Sequence, residues 1–490
     1  MNRRMILHIL GKILLAEAAL MIPAAIVGAV YQESETWTFF PAIGILLLLG
    51  ILFGWRKPRN SEIYSKDGLF IVAAAWVLLS LIGAVPFYLC GGFATVWDCI
   101  FEMVSGLTTT GATVLSAPES LPKCILFWRS FSHWIGGMGV LVFVLAIMPL
   151  SDERAMHLMR AEVPGPTVGK LVPKMRDTAK ILYGVYTVLT VVLTVLLLCG
   201  GMPVFDALCT AFGTAGTGGF AVRNAGIAFY NSAYIDIVLS VFMLLFGINF
   251  NLFYFVLIGK AKELWKSEEL HWYLGIIACA VAAIAASIYR IYGSVGSSLR
   301  YAFFQVTSII SSTGFATADF NLWPQIARHI LVLLMFIGAC AGSTGGGLKV
   351  SRVLLLGKCL LQEVRKLFHP HAVTVVRLEK KAVSPATCHI TLVYFAMYMC
   401  MLLVSTLLLS LDGMDLTTNL TAAITCINNI GPGLNQVGPM SNFGGYSGFS
   451  KVLLSLDMLF GRLEIFPMLV LLSPSAWREC FHKREFEGNV

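Results

Sequence analysis

The chain has 490 residues, 57% of them hydrophobic and only 13% charged, with a mean hydropathy of +0.78. A soluble protein of this composition would have too little polar surface to cover its core, so a soluble fold is excluded and an integral membrane protein is expected. The net charge of +8 does not point to nucleic acid, because the cations gather in loops on one side of the membrane.

Apolar stretches of about 20 residues, the length at which a helix spans a bilayer core, begin at the amino terminus. Two simple helices are expected over 6–31 and 37–55, separated by the polar turn Gln32-Glu33-Ser34-Glu35. The first lacks a small-residue cleavage site followed by a soluble domain and reads as a retained helix rather than a signal peptide. After a basic loop the pattern changes to a full-length helix (69–90), a shorter apolar stretch (96–107), a Gly/Thr-rich loop and another long helix (125–149). Half-length segments are more often re-entrant than spanning. The unit returns over 178–260, 271–356 and 387–472, and its loop glycines, Gly111, Gly219, Gly314 and Gly431, recur at intervals of about 100 residues, the mark of one structural unit used repeatedly.

The expected fold is therefore an all-α polytopic membrane protein with four pseudo-symmetric helix–pore-helix–loop–helix repeats around one pore. Its divisions are two additional N-terminal helices (1–66), repeat 1 (67–170), repeat 2 (171–266), repeat 3 (267–383) and repeat 4 with a short C-terminus (384–490), giving ten spanning helices and four half-helices. With the amino terminus in the cytoplasm, the cytoplasmic loops hold most of the 35 Lys and Arg residues, in clusters at Arg3–Arg4, Arg56–Lys66, Arg154–Lys180, Lys260–Lys266, Lys358–Lys381 and Arg478–Arg484. The opposite loops hold Lys123, Arg223, Arg290, Arg300 and Arg328. This bias places both termini in the cytoplasm. The 12 cysteines are scattered, with no C-x-x-C pair, and read as small buried hydrophobes rather than a metal or disulfide framework.

Non-helical backbone at membrane depth is tolerated only where protein buries it or water reaches it. Four such loops can be satisfied together around one axis, where their carbonyls replace the hydration shell of a cation. The candidate filter residues are Thr109, Thr110 and Gly111; Thr217, Gly218 and Gly219; Ser312, Thr313 and Gly314; and Asn429, Ile430 and Gly431. Glycine suits conformations that a Cβ penalises. Each preceding half-helix aims its negative carbonyl end at the axis. Asp98 and Asp206, at matching distances before their loop glycines, either complement the positive end of their half-helices or lie solvated in the outer vestibule. Glycines of this kind are also common as helix-packing residues, but four at equivalent places in four repeats favour a functional site.

The sets TTTGAT, SSTGFATADF and NNIGPG, with WRSFSHWIGGMGV, GACAGSTGGGLK and GRLEIFP, resemble the Trk/Ktr/HKT superfamily of cation transporters across essentially the whole chain. The length and the two extra N-terminal helices resemble the TrkH type of bacterial potassium-translocating subunit more than the shorter KtrB type. The resemblance implies one K+ pathway per subunit, a homodimer in the bacterial cytoplasmic membrane, and a cytosolic nucleotide-binding RCK partner of the TrkA type. It places the filter at the four glycines and the residues just before them. In sodium-preferring plant members the first filter glycine is a serine, so Gly111 favours potassium. Gly218 stands where a bulkier residue is common, which implies retained ion binding but lower local rigidity.

The stretch Gly338, Ala339, Cys340, Ala341, Gly342, Ser343, Thr344, Gly345, Gly346, Gly347 interrupts the second long helix of repeat 3, where each glycine costs a helix about 1 kcal/mol. It reads as either a closely packed helix of small residues or, as the resemblance implies, an intramembrane gating loop beneath the filter, with Lys349 at its cytoplasmic end. Arg462 lies about midway along the last spanning helix, too deep to snorkel, and is a functional residue by default. The resemblance gives it the role of holding the gate closed. Glu464, two residues on, points elsewhere on the helix and is not its partner. Arg129 and His133 form an i, i+4 pair read as a structural, hydrogen-bonded couple rather than a proton relay. The basic loops around 151–180 and 358–381 touch lipid headgroups and offer a docking surface for a cytosolic subunit. No Walker A, H-E-x-x-H or nucleophile-elbow pattern occurs, so enzymatic activity and an organic cofactor are not expected. The alternative to a gated K+ pathway is an H+- or Na+-coupled cation symporter, or a less selective K+/Na+ transporter; a midplane carrier site calls for inverted repeats, which this pattern lacks.

Overall fold

The structure is a computed structural model and describes residues 1–55, 58, 64–139, 175–371 and 375–481. The expected end of the fourth helix (to 149), the basic segment 151–174 and part of the Arg56–Lys66 cluster lie outside the described residues.

The chain opens with α1 (Arg3–Val30), whose start is capped by the Asn2 side chain accepting from Met5 N, and returns through α2 (Phe39–Gly54). The two pack at glycines: a Cβ on Gly11 would run into the backbone of Gly50 and Gly54. With lipid as apolar as leucine, such close backbone approach is what holds two membrane helices together.

Four repeats follow. The first is α3 (Ser65–Gly83, extended by the turn Val85–Leu89), the half-helix α4 (Val96–Leu107), a loop, and α5 (Lys123–Gly137). The second is α6 (Met175–Cys199), half-helix α7 (Val204–Ala215), α8 (Ala233–Phe246) and α9 (Phe250–Leu257). The third is α10 (Glu268–Tyr292), half-helix α11 (Val295–Ile310), α12 (Gln325–Ile337) and α13 (Val350–Phe368), followed by a hairpin of β1 (Arg377–Leu378) and β2 (Lys381–Ala382). The fourth is α14 (Pro385–Leu409), half-helix α15 (Leu416–Ile427), α16 (Gly448–Arg462), α17 (Phe466–Leu472) and the terminal α18 (Pro474–Phe481). The architecture is that of an all-α polytopic membrane protein.

Among the described residues, six helical segments are long and apolar enough to cross a membrane, and the bent pair α8–α9, at 94°, makes a seventh. The other expected spans are the second helices of repeats 1, 3 and 4; that of repeat 1 is described only as far as Gly139, and those of repeats 3 and 4 are interrupted. Helix α12 stops at Gly338 and helical structure resumes at Val350, while α16 stops after Arg462 and resumes at Phe466. The break in repeat 4 corrects the expectation of one continuous last span. Glu464 and Ile465 both take positive φ, and Pro467, at the second position of α17, cannot donate the bond that would continue α16.

The repeats close a ring. Each second helix packs between its own half-helix and that of the next repeat: α5 between α4 and α7, α8 between α7 and α11, α12 between α11 and α15, and α16 between α15 and α4. Every half-helix is thus wedged by two long helices, and its C-terminal end is delivered to a common centre.

Candidate functional site

All four half-helices end in the same way. The residue two before each loop glycine is left-handed without being glycine: Thr109 (φ 55°), Thr217 (55°), Ser312 (58°) and Asn429 (53°). Each conformation costs an L-residue roughly 1–2 kcal/mol. The residue after it donates its N–H back to the carbonyl five positions earlier: Thr110 to Ser105 (2.9 Å), Gly218 to Gly213 (2.8 Å), Thr313 to Ser308 (2.8 Å) and Ile430 to Thr425 (2.9 Å). This is the closure of a helix by a left-handed cap, placed here at non-glycine residues in one register. The glycine that follows is also at positive φ: Gly111 (80°), Gly219 (72°), Gly314 (82°) and Gly431 (100°). Strain repeated at matching positions marks a site that the surroundings over-determine.

The glycines interlock around the ring. A Cβ on Gly111 would meet Gly218 O, one on Gly219 would meet Thr313 O, one on Gly314 would meet Ile430 O, and one on Gly431 would meet Thr110 O. In each case the obstacle is the carbonyl of the residue preceding the glycine in the next loop, and the fourth loop returns to the first. The twelve expected filter residues therefore come together as one closed ring of backbone. Gly111, Gly219, Gly314 and Gly431 also line a cavity of about 320 Å³, with Thr113, Arg223, Pro432 and Asn442 among its other walls. Side chains tie neighbouring loops: Asn429 Nδ2 donates to Thr110 Oγ1 (2.9 Å) and to Met458 O (3.0 Å).

Behind the ring lies a buried ion pair. Glu102 in α4 accepts from Arg129 Nε (2.6 Å), Thr113 Oγ1 (2.8 Å) and Val114 N (3.0 Å), fixing the strand that leaves Gly111. Arg129 in α5 reaches onward to Ala221 O of the second loop (2.9 Å), its guanidinium over the Phe220 ring at 3.6 Å. His133 instead bonds Gly106 O through Nδ1 (2.8 Å). Arg129 and His133 are structural, as expected, but they bond different partners, Glu102 and the second loop for Arg129 and the end of α4 for His133, and not each other. The expected loss of rigidity at Gly218 is also corrected: a Cβ there would overlap the His133 ring, so the imidazole fills the space that a larger side chain would occupy.

Asp98 and Asp206 are both buried in the first turn of their half-helices, so neither lies solvated in an outer vestibule, and only Asp98 also caps its helix. Asp98 accepts from Thr95 N (3.0 Å) in a capping box and pairs with Lys451 (2.5 Å) at the start of α16, joining repeat 1 to repeat 4. Lys451 is absent from the cations expected opposite the cytoplasm, yet it shares this end of the fold. Asp206 accepts from Tyr230 OH (2.7 Å) and faces Arg223 at 3.5 Å.

The stretch from Gly338 to Lys349 is a loop, not a tight helix, and it fills the space against the base of the ring. Gly346 N donates to Ser312 Oγ (2.5 Å), a Cβ on Gly345 would meet Ser311 O, and one on Gly346 would meet Asn428 O. The loop interlocks with the break between α8 and α9, through Cys340 N to Gly247 O and Phe250 N to Gly342 O, both 3.0 Å. Thr344 Oγ1 donates to Phe246 O (3.3 Å) and Ser343 Oγ to Cys340 O (2.6 Å). Positive φ at Gly338, Gly342 and Gly347 shapes the path. Lys349, also at positive φ, ends the loop as expected, but it is buried and its ammonium turns back to Gly345 O. Arg462 is buried too, and it bonds Thr344 O (2.8 Å), Gly136 O (2.6 Å) and Gly137 O (2.7 Å). One guanidinium thereby joins the loop of repeat 3 and the end of α5 in repeat 1 to repeat 4. Glu464 pairs with Arg352 (2.5 Å), in keeping with its expected separation from Arg462.

Residues 38–479 match the model of the TrkH family, described as cation transport proteins. The chain is 36% identical over 485 residues to the Trk system potassium uptake protein TrkH of Salmonella typhimurium, covering 98% of this chain and all of that one. The chain belongs to the TrkH family. Within this family of transporters rather than enzymes, it is also 33% identical to the potassium uptake protein TrkG of Escherichia coli, over 97% of this chain and 99% of that one. The crystal structure of the potassium transporter TrkH from Vibrio parahaemolyticus superposes with a TM-score of 0.87 at 33% identity, covering 98% of this chain and all of that one.

One residue of this TrkH-family site that escaped the sequence motifs is Glu102, a carboxylate within an apolar segment, and its rarity there is the signal that could have found it.

Proposed function

We propose that this chain is the K+-translocating subunit of a bacterial potassium uptake system, conducting K+ through the ring of four loops. The observation that carries the reading is the closed ring itself: four left-handed caps, each followed by a positive-φ glycine seated against the next loop's carbonyl. Consecutive carbonyls freed from helical bonding are the ligands that replace the hydration of a monovalent cation, and the negative ends of four half-helices favour it. The relatives named as potassium uptake proteins support K+ as the cargo. Growth of a potassium-auxotrophic strain at low K+ tests this: the unaltered chain is expected to rescue growth and Gly111→Ser to fail. Rescue by both or by neither would overturn it.

The loop 338–349 is proposed as the gate and Arg462 as the residue that holds it closed, since Arg462 ties the loop to two other repeats through carbonyl oxygens. Arg462→Ala is expected to raise ion flux several-fold by releasing the loop, measured as rubidium tracer uptake into liposomes. Unchanged flux would count against the gate. The remaining proposals are a homodimer in the cytoplasmic membrane with both termini inside, the five divisions of the chain set out above, lipid contact on the exposed apolar faces, and docking of a TrkA-type nucleotide-binding RCK subunit on the basic cytoplasmic side.

A further inference from the structure

We propose that Glu269 and Glu379 are positioning residues that transmit the state of an exposed cytoplasmic hairpin to the intramembrane loop; the proposal rests on reading that loop as the gate. Glu269, the second residue of α10, is buried, and its Oε1 accepts from Ala341 N (2.7 Å) and from Ser351 N (3.1 Å). A single oxygen thus pins both the loop and the start of α13 to α10. The segment between those two bonds contains Gly345 and Gly346, the residues seated against the base of the ring.

The N-terminus of α10 is itself held from outside. The Glu379 carboxylate accepts from Ser267 Oγ (2.9 Å), Glu268 N (3.1 Å) and Glu269 N (3.1 Å), satisfying helix-end N–H groups with a negative charge. Glu379 sits at the tip of the hairpin, where Arg377 pairs with Ala382 and Leu378 with Lys381. The two-residue turn between them has positive φ at both Glu379 (50°) and Lys380 (62°). Asn-Gly is the pair suited to that geometry, so nothing in Glu-Lys favours it locally; the bonds from Glu379 to α10 hold it. Lys358 of α13 completes the connection, bonding Glu268 (2.5 Å) and Arg377 O (2.8 Å). The hairpin tip is exposed, and a protein that displaced it would uncap α10 at the residue whose side chain clamps the loop.

The test uses the full chain in liposomes, with rubidium tracer influx as the readout. Glu379→Ala and Glu269→Ala are each expected to raise influx by up to about tenfold, the scale set by losing hydrogen bonds to a charged group. Glu269→Gln should stay near the unaltered rate, because an amide oxygen can accept both bonds. The double alanine variant should match the larger single effect, since both act through one route. The Rb+/Na+ ratio should not change in any of them. Glu379 is exposed and away from the core, so Glu379→Ala decides the matter even if Glu269→Ala fails to fold. Influx at the unaltered rate in Glu379→Ala, with Arg462→Ala raised, would overturn the relay and leave the gate standing. No increase in any variant, Arg462→Ala included, would remove both. Glu269→Gln as fast as Glu269→Ala would also overturn the proposal.

Discussion

Arg129→Ala is expected to abolish potassium uptake and to destabilise the protein by about 3–5 kcal/mol, the cost of leaving a buried charge without its partner. Glu102 and Arg129 are both fully enclosed, so the carboxylate cannot be rehydrated in place. The arginine also supplies the tie to Ala221 O and the stack on Phe220, and with these gone the first and second loops lose their common anchor. Arg129→Lys should rescue poorly, because a single ammonium cannot serve the carboxylate, the carbonyl and the ring face together. Thermal melting in detergent, with uptake in a potassium-auxotrophic strain, checks both parts. An alanine variant with unaltered melting and uptake would refute the anchoring role.

Gly314→Ala is expected to eliminate uptake while leaving most of the fold intact. At φ 82° a side chain costs roughly 1–2 kcal/mol on its own. The added Cβ would also be driven into Ile430 O of the fourth loop, with Pro432 Cδ 2.8 Å away. The neighbour cannot yield without moving its own left-handed cap. Gly293→Ala separates the two effects: Gly293 has φ 64° but nothing within 4 Å of its added Cβ. It should keep its uptake, losing only the conformational term, and equal loss in both variants would show that ring geometry is not the cause.

The ring was legible in the sequence because glycine at positive φ is required at four matching positions, and the interval between them repeats. The loop beginning at Gly338 was legible in part for a related reason: ten residues rich in glycine are costly as a helix, which left a closely packed helix and a loop as the alternatives. The breaks in repeats 2 and 4 were not, since Gly247-Ile248-Asn249 and Leu463-Glu464-Ile465 are too short to alter an apolar profile. Only Pro467 signalled the second. Spacing also suggested that Arg129 and His133 bond each other, but residues on one helix face are free to turn to separate partners. Gly218 looked like a soft point because its partner, the His133 ring, comes from a helix more than eighty residues earlier, a contact no local pattern reveals. The same holds for Lys451 with Asp98 and for Glu379 with α10.

The most direct test of the central claim is ion-gradient-driven flux in liposomes holding the purified chain, with K+ and Na+ compared before and after Gly111→Ser. A K+ flux well above the Na+ flux, with the preference reduced or lost in the serine variant, is the predicted result. Equal K+ and Na+ fluxes in the unaltered chain, or a preference untouched by Gly111→Ser, would contradict the assignment of the four-loop ring as the potassium filter.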